Sequence, residues 1–236
     1  MTDSTSADSA RSILIVGASR GLGHAMAAEF AGRGWRVLGT VRSDGTPLHA
    51  LAEERPGAVE IETLDMTDHD QMRALRDRLA GRAFDIVFVN AGVANRQGDT
   101  MADVSTDEFV QVMVTNVLGA MRAVEELGPL AKPGGVIGVM SSGQGSIANN
   151  TDGINDVYRA SKAALNQAMT SYAARHAGDG RAMVLMAPGW IRTDLGGPNA
   201  HFGVEETMPQ IVDTLIAQQG AHGLRYLDRY GRNVPW

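Results

Sequence analysis

SILIVGASRGLGHAMAAEF, residues 12–30, decides the fold. It opens as a short apolar, β-branched run and passes into a loop where Gly17, Gly21 and Gly23 follow a G-x-x-x-G-x-G spacing, with Ser19, Arg20 and Leu22 between them. A helical pattern takes over from Leu22. Glycines at such a joint permit a tight turn and let backbone amides approach a pyrophosphate. They also let the helix pack close to the strand, while the helix N-terminus supplies partial positive charge. A glycine-rich turn without a ligand has the same local spacing, so the loop acquires its meaning from what surrounds it.

Outward from this stretch the alternation repeats. Strand-like runs fall at residues 12–19, 35–42, 58–65, 84–92, 134–142, 181–189 and 224–228, and helical patterns at 22–33, 69–80, 106–127, 156–176 and 205–218. Near-continuously apolar strands separated by long helices indicate a parallel sheet covered on both faces. Right-handed crossovers then give an α/β, doubly wound, seven-stranded Rossmann-type sheet, whose ligand crevice lies at the C-terminal ends of the strands. No linker divides the chain. One domain is expected over residues 12–236, preceded by a flexible polar tail over 1–11.

Composition removes several functions. The 21 basic and 27 acidic residues give a net charge of -6, with no basic run to neutralise a row of phosphates, so nucleic acid is not an expected partner. The chain has no cysteine, and its 6 histidines lack metal-ligand spacing. No apolar run approaches the roughly 18 residues of a membrane span. A cytoplasmic protein acting on a small molecule is expected.

The second strand ends Thr40-Val41-Arg42, with no carboxylate where an NAD-selective site places one for the adenosine ribose. Arg42 suits a 2′-phosphate, and Arg20 is placed to close on it from the glycine loop. NADP(H) is therefore preferred, with NAD(H) possible. Asp65 and Met66 are expected to bracket the adenine, and Asn90-Ala91-Gly92 to offer a further close backbone approach.

YRASK, residues 158–162, places Tyr158 and Lys162 on one helix face. A free phenol has a pKa of about 10. A nearby ammonium, helped by a cationic nicotinamide, is expected to lower it and make Tyr158 a general acid. Lys162 is also expected to hold the nicotinamide ribose. Ser142, with Ser141 as competitor, is placed to polarise a carbonyl. Asn116, inside the apolar run VMVTNVLGAM, is expected to hold a water that links Lys162 to solvent.

In this order, G-x-x-x-G-x-G, N-A-G, a helical Asn, a strand-end Ser, Y-x-x-x-K and P-G-x-x-x-T resemble the short-chain dehydrogenase/reductase family. SSGQGSIANN, YRASKAALN, PGWIRTDLGGPNA and GRNVPW resemble its C-factor and Sniffer-type carbonyl reductase branch. The resemblance implies strand order 3-2-1-4-5-6-7 and a catalytic tetrad of Asn116, Ser142, Tyr158 and Lys162. It also implies that Pro188, Gly189, Ile191 and Thr193 line the nicotinamide end, and that the chain forms a homodimer or homotetramer. The implied activity is NADPH-dependent reduction of a ketone or aldehyde, or the reverse oxidation of an alcohol. The alternative is an NAD(P)H-binding sensing or signalling protein of C-factor type. Val16 and Val89 depart from the family pattern, which puts two supporting hydrogen bonds in doubt. Residues 195–206 are expected to form a mobile lid.

Overall fold

The computed structural model describes residues 10–96 and 98–236, so the tail expected over 1–11 lies, through residue 9, outside the described residues. The chain alternates β1 (Ser12–Val16), α1 (Gly21–Gly32), β2 (Arg36–Val41), α2 (Pro47–Glu54), β3 (Val59–Thr63), α3 (His69–Arg78) and β4 (Phe84–Val89). It continues through α4 (Thr106–Met113), α5 (Ala120–Leu127), β5 (Ala131–Met140), α6 (Asp156–Arg175), β6 (Ala182–Ala187), α7 (Val204–Ile216) and β7 (Gly223–Asp228). The strands form one 7-stranded sheet in the order β3-β2-β1-β4-β5-β6-β7, and every pairing is parallel.

Both faces of the sheet are dry because successive strand residues point to opposite sides. Ile13 and Ile15 of β1 join Met26, Phe30, Leu48, Ile211 and Leu215 from α1, α2 and α7. Leu14 and Val16 face the other way, into Leu75, Val124, Leu127, Leu165 and Met169 from α3, α5 and α6. Each fully buried side chain of this size stabilises the fold by about 1.5–3 kcal/mol. No helix among the described residues is long and apolar enough to cross a membrane.

Three elements differ from the expectation. Helix α2 is additional: Thr46 and His49 close a reciprocal cap around Pro47 at its first turn. Histidine stands where such boxes usually carry Glu or Gln, which hides the signal. The single helix expected over 106–127 contains a π-helical turn, Val114–Gly119, between α4 and α5. β5 starts at Ala131, and its register against β4 shifts between Phe84 and Ile86. That irregularity accommodates Pro133, which brings no N–H to a ladder.

The sheet reverses its winding between β1 and β4, where the crevice of such folds lies. Two glycines allow the approach there. A Cβ on Gly17 would sit 2.6 Å from Ala91 Cβ, and one on Gly23 would sit 2.0 Å from the Gly17 carbonyl oxygen. Gly23→Ala is expected to lose about 2–3 kcal/mol in urea unfolding, the scale of overpacking against backbone. Gly32→Ala, with open space around it, is expected to gain a few tenths to about 1 kcal/mol from helix propensity.

Candidate active site

At the first crevice wall, the Thr40 hydroxyl accepts from Gly17 N–H at 2.9 Å, and Asn90 Nδ2 donates to the Gly17 carbonyl at 2.9 Å. Asn90 and Ala91 N–H both reach the Val16 carbonyl, at 2.9 and 3.1 Å. The supports left in doubt by Val16 and Val89, both buried in the core, thus come from neighbouring strands. Gly21 differs from the other two glycines in that nothing lies within 4 Å of its Cβ direction, although like Gly17, at φ +88°, it has a positive φ, +57°. Its freedom is conformational and leaves room for a ligand at the start of α1.

Arg42 lies exposed at the end of β2. Arg20 reaches across the crevice to Asp194 at 2.6 Å, with both side chains mostly exposed. The structure thus pairs Arg20, expected to close on a 2′-phosphate, with a carboxylate. Ser19 is half-buried and Leu22 packs against the core. Asp65 Oδ1 accepts from the Thr67 N–H and hydroxyl at 2.9 and 2.7 Å. The Met66 side chain points into the core, 5% exposed, so it offers the crevice its backbone more than its apolar side chain.

Pro188, Gly189, Ile191 and Thr193 follow β6. The buried Arg229 guanidinium donates to the Pro188 carbonyl at 3.2 Å and stacks 3.8 Å from the Phe202 ring centroid. The mobile lid expected over 195–206 is cross-braced: Ile191 bridges Phe202, Trp190 Nε1 donates to the Gly196 carbonyl at 2.7 Å, and Arg192 Nη1 to the Ala200 carbonyl at 2.9 Å. Neither Arg229 nor Thr40 was legible as a support, since both roles arise from contacts distant in sequence.

Across the crevice, α6 carries Tyr158 and Lys162, the ammonium nitrogen 5.7 Å from the phenol ring centroid. Lys162 is 3% exposed and donates to the Met140 carbonyl at the end of β5, at 2.9 Å. Burial pushes its pKa down to about 8. Tyr158 moves opposite to the expected lowering. Desolvation pushes the phenol up to about 12, a hydrogen bond with the Ser142 hydroxyl pulls against this, and nearby Tyr226 adds to the rise.

Ser142 Oγ accepts from Gln144 N–H at 3.2 Å, which leaves its proton for another acceptor. Ser141 is 2% exposed and donates to Asn166 Oδ1 at 2.6 Å, so Ser142 is the serine facing Tyr158. Asn116, in the π turn, clamps Val93: Oδ1 accepts from Val93 N–H at 2.8 Å and Nδ2 donates to the Val93 carbonyl at 2.8 Å and to Ser161 Oγ at 3.0 Å. Its side-chain groups are engaged by protein. A Cβ on Gly92 would lie 3.3 Å from Asn116 Oδ1 and 3.5 Å from Lys162 Nζ, so Gly92 brings these residues together.

These residues fit a dinucleotide: an open Gly21 cradle and exposed Arg42 at one end, and at the other an ammonium with donors beyond its one bond to Met140. A backbone cradle facing a phenol and an ammonium across a switch-point crevice defines a dinucleotide-dependent oxidoreductase. Residues 17–215 match the family model described as Enoyl-(Acyl carrier protein) reductase. C-signal of Myxococcus xanthus is 32% identical over 167 residues, covering 70% of this chain and 100% of that protein. A short-chain dehydrogenase/reductase structure from Burkholderia multivorans with bound NADP is 59% identical, with a TM-score of 0.94, over 96% of this chain and 100% of that one. A carbonyl reductase from Pseudomonas aeruginosa in complex with NADP is 33% identical, with a TM-score of 0.88, over 97% and 100%. The chain belongs to the short-chain dehydrogenase/reductase family.

Lys162 couples the site to stability. Its pKa is lower folded, at about 8, than its ordinary 10.5, so the unfolded chain binds more protons between these values and stability rises with pH there. Urea unfolding at pH ~7.5 and ~9.5 should show native stability gaining about 2 kcal/mol relative to Lys162→Met.

Proposed function

We propose that the protein is an NADPH-dependent carbonyl reductase of the cytoplasm, acting on a small ketone or aldehyde, or on the corresponding alcohol in reverse. The observation that supports this best is the Tyr158 ring beside the buried Lys162 ammonium, which is held on the Met140 carbonyl at the end of β5. NADPH, when bound, supplies the hydride that the carbonyl carbon receives.

The chain's own residues manage the rest. Ser142, its oxygen already accepting from Gln144 N–H, directs its proton to the substrate oxygen and polarises the carbonyl. Tyr158, protonated at neutral pH because its pKa is pushed up to about 12, delivers its proton to that oxygen as charge develops. Lys162, with a pKa of about 8, stays largely cationic at neutral pH and stabilises the phenolate that remains. Its remaining donors suit the nicotinamide ribose hydroxyls, while Asn116 fixes Val93 and the Gly92 backbone beside them. At the adenosine end, Gly17, Ser19, Gly21, Leu22 and Gly23 cradle the pyrophosphate. Asp65, Met66, Asn90 and Ala91 border the adenosine, and Arg42 reads the 2′-phosphate. Pro188, Gly189, Ile191 and Thr193 close the nicotinamide end. Exposed Val110 and Leu118 on the α4–α5 stretch, 48% and 44% accessible, suit a homodimer or homotetramer contact, which light scattering would read.

NADPH oxidation should be followed with a panel of aldehydes, ketones, diketones and quinones. Tyr158→Phe is expected to lower kcat by about 10²–10⁴-fold, the contribution of a positioned general acid. NADPH binding without turnover on any carbonyl would favour the sensing or signalling role instead. Arg42→Ala should raise the KM for NADPH about tenfold, equivalent to about 1.4 kcal/mol of lost phosphate pairing, and leave NADH unchanged. Equal effects on both nucleotides would remove Arg42 as the phosphate reader.

A further inference from the structure

A second tyrosine lies against the reacting groups. Tyr226, from β7, is 2% exposed, and its hydroxyl donates to the Ser142 carbonyl. The same carbonyl accepts from Gly145 N–H at 2.9 Å, closing the turn that follows β5. Close by, Ser141 Oγ donates to Asn166 Oδ1 at 2.6 Å, and Asn166 Nδ2 donates to the Gly145 carbonyl at 3.3 Å. Gly145 leaves no slack, since a Cβ there would lie 2.9 Å from Asn166 Nδ2 and 3.0 Å from the Lys162 backbone. The other end of the loop is tied to the last strand's extension: Ala148 N–H donates to the Trp236 carbonyl at 3.0 Å, and the Trp236 ring lies 5.4 Å from that of Tyr226.

We propose that Tyr226 is a positioning residue for carbonyl reduction: by holding the Ser142 carbonyl, with Ser141 and Asn166 bracing the turn, it fixes where the Ser142 hydroxyl meets Tyr158 and the substrate oxygen. This rests on the reductase reading of the site. Ser142 is otherwise half-exposed at a loop's edge, and a hydroxyl free to wander there polarises a carbonyl poorly. A buried phenol donating to one backbone carbonyl restricts that loop without occupying the substrate's place.

Tyr226→Phe keeps the ring and removes the one donor. Hydrogen exchange across residues 142–148 should accelerate about three- to tenfold, as for one lost hydrogen bond. The kcat should fall about three- to tenfold, with KM for NADPH unchanged. In a Ser142→Ala background the same change should cost nothing further in kcat, because a residue acting through Ser142 loses its effect when Ser142 is gone. Unchanged exchange would overturn the proposal whether or not the native protein reduces any carbonyl. Faster exchange with undiminished kcat, or an equal loss in both backgrounds, would overturn the positioning role. Absence of native turnover would instead remove the reductase reading, with exchange still reporting whether Tyr226 holds the loop.

Discussion

A buried ammonium that no carboxylate among the described residues pairs with is the constraint around which this crevice is arranged. Lys162 lies almost wholly out of water and bonds the Met140 carbonyl. Burying a charge this way is expensive, and part of that cost appears as a pKa lowered to about 8. A carboxylate would relieve the cost, but it would also compete with a phenolate for the same cation. A neutral carbonyl supplies direction without that competition. Strand β5 must end where it does, and α6 must lie with its Tyr158 and Lys162 face over that end, for the arrangement to exist.

The remaining features follow from keeping this cation beside a crevice. The π-helical turn puts Asn116 where its amide matches both polar groups of Val93. Widened turns of this kind often occur at functional sites, where they re-aim a side chain at some loss of regularity. The segment after β6 is held by Arg192, Trp190 and Arg229, so that wall of the crevice is preformed. Pre-formed walls favour orientation over closure, since little conformational entropy remains to be lost when a ligand arrives.

The two-sided burial of the strands and the clustering of Gly17, Gly21, Gly23, Tyr158 and Lys162 were legible in the sequence through local spacing and apolar periodicity. The sheet order was legible only through the family resemblance. What escaped depends on contacts between distant segments. Thr40 supports the glycine loop from another strand, Asn90 replaces a bond its neighbours do not supply, and Tyr226 reads as one more core aromatic in LRYLD. The π turn was invisible because its residues keep helical spacing. The desolvation that raises the Tyr158 pKa escaped for a related reason: an i, i+4 neighbour can be read from numbering, but desolvation requires knowing what surrounds the phenol.

The glycine fingerprint divides into two kinds of position with different evolutionary fates. Gly17 and Gly23 are forbidden a side chain by the protein's own atoms, Ala91 and the Gly17 carbonyl, whereas Gly21 faces open space. A descendant that abandoned nucleotide chemistry would still be selected to keep the first two, because its sheet and first helix could not otherwise meet. Arg42 and the tyrosine–lysine face would be released to drift, while Gly21, at φ +57°, would yield only to residues that tolerate a left-handed backbone, such as Asn. Among diverged copies of such a chain, persistence of the first and third glycines records descent of the architecture, and persistence of Arg42 and the tyrosine–lysine face records continued use.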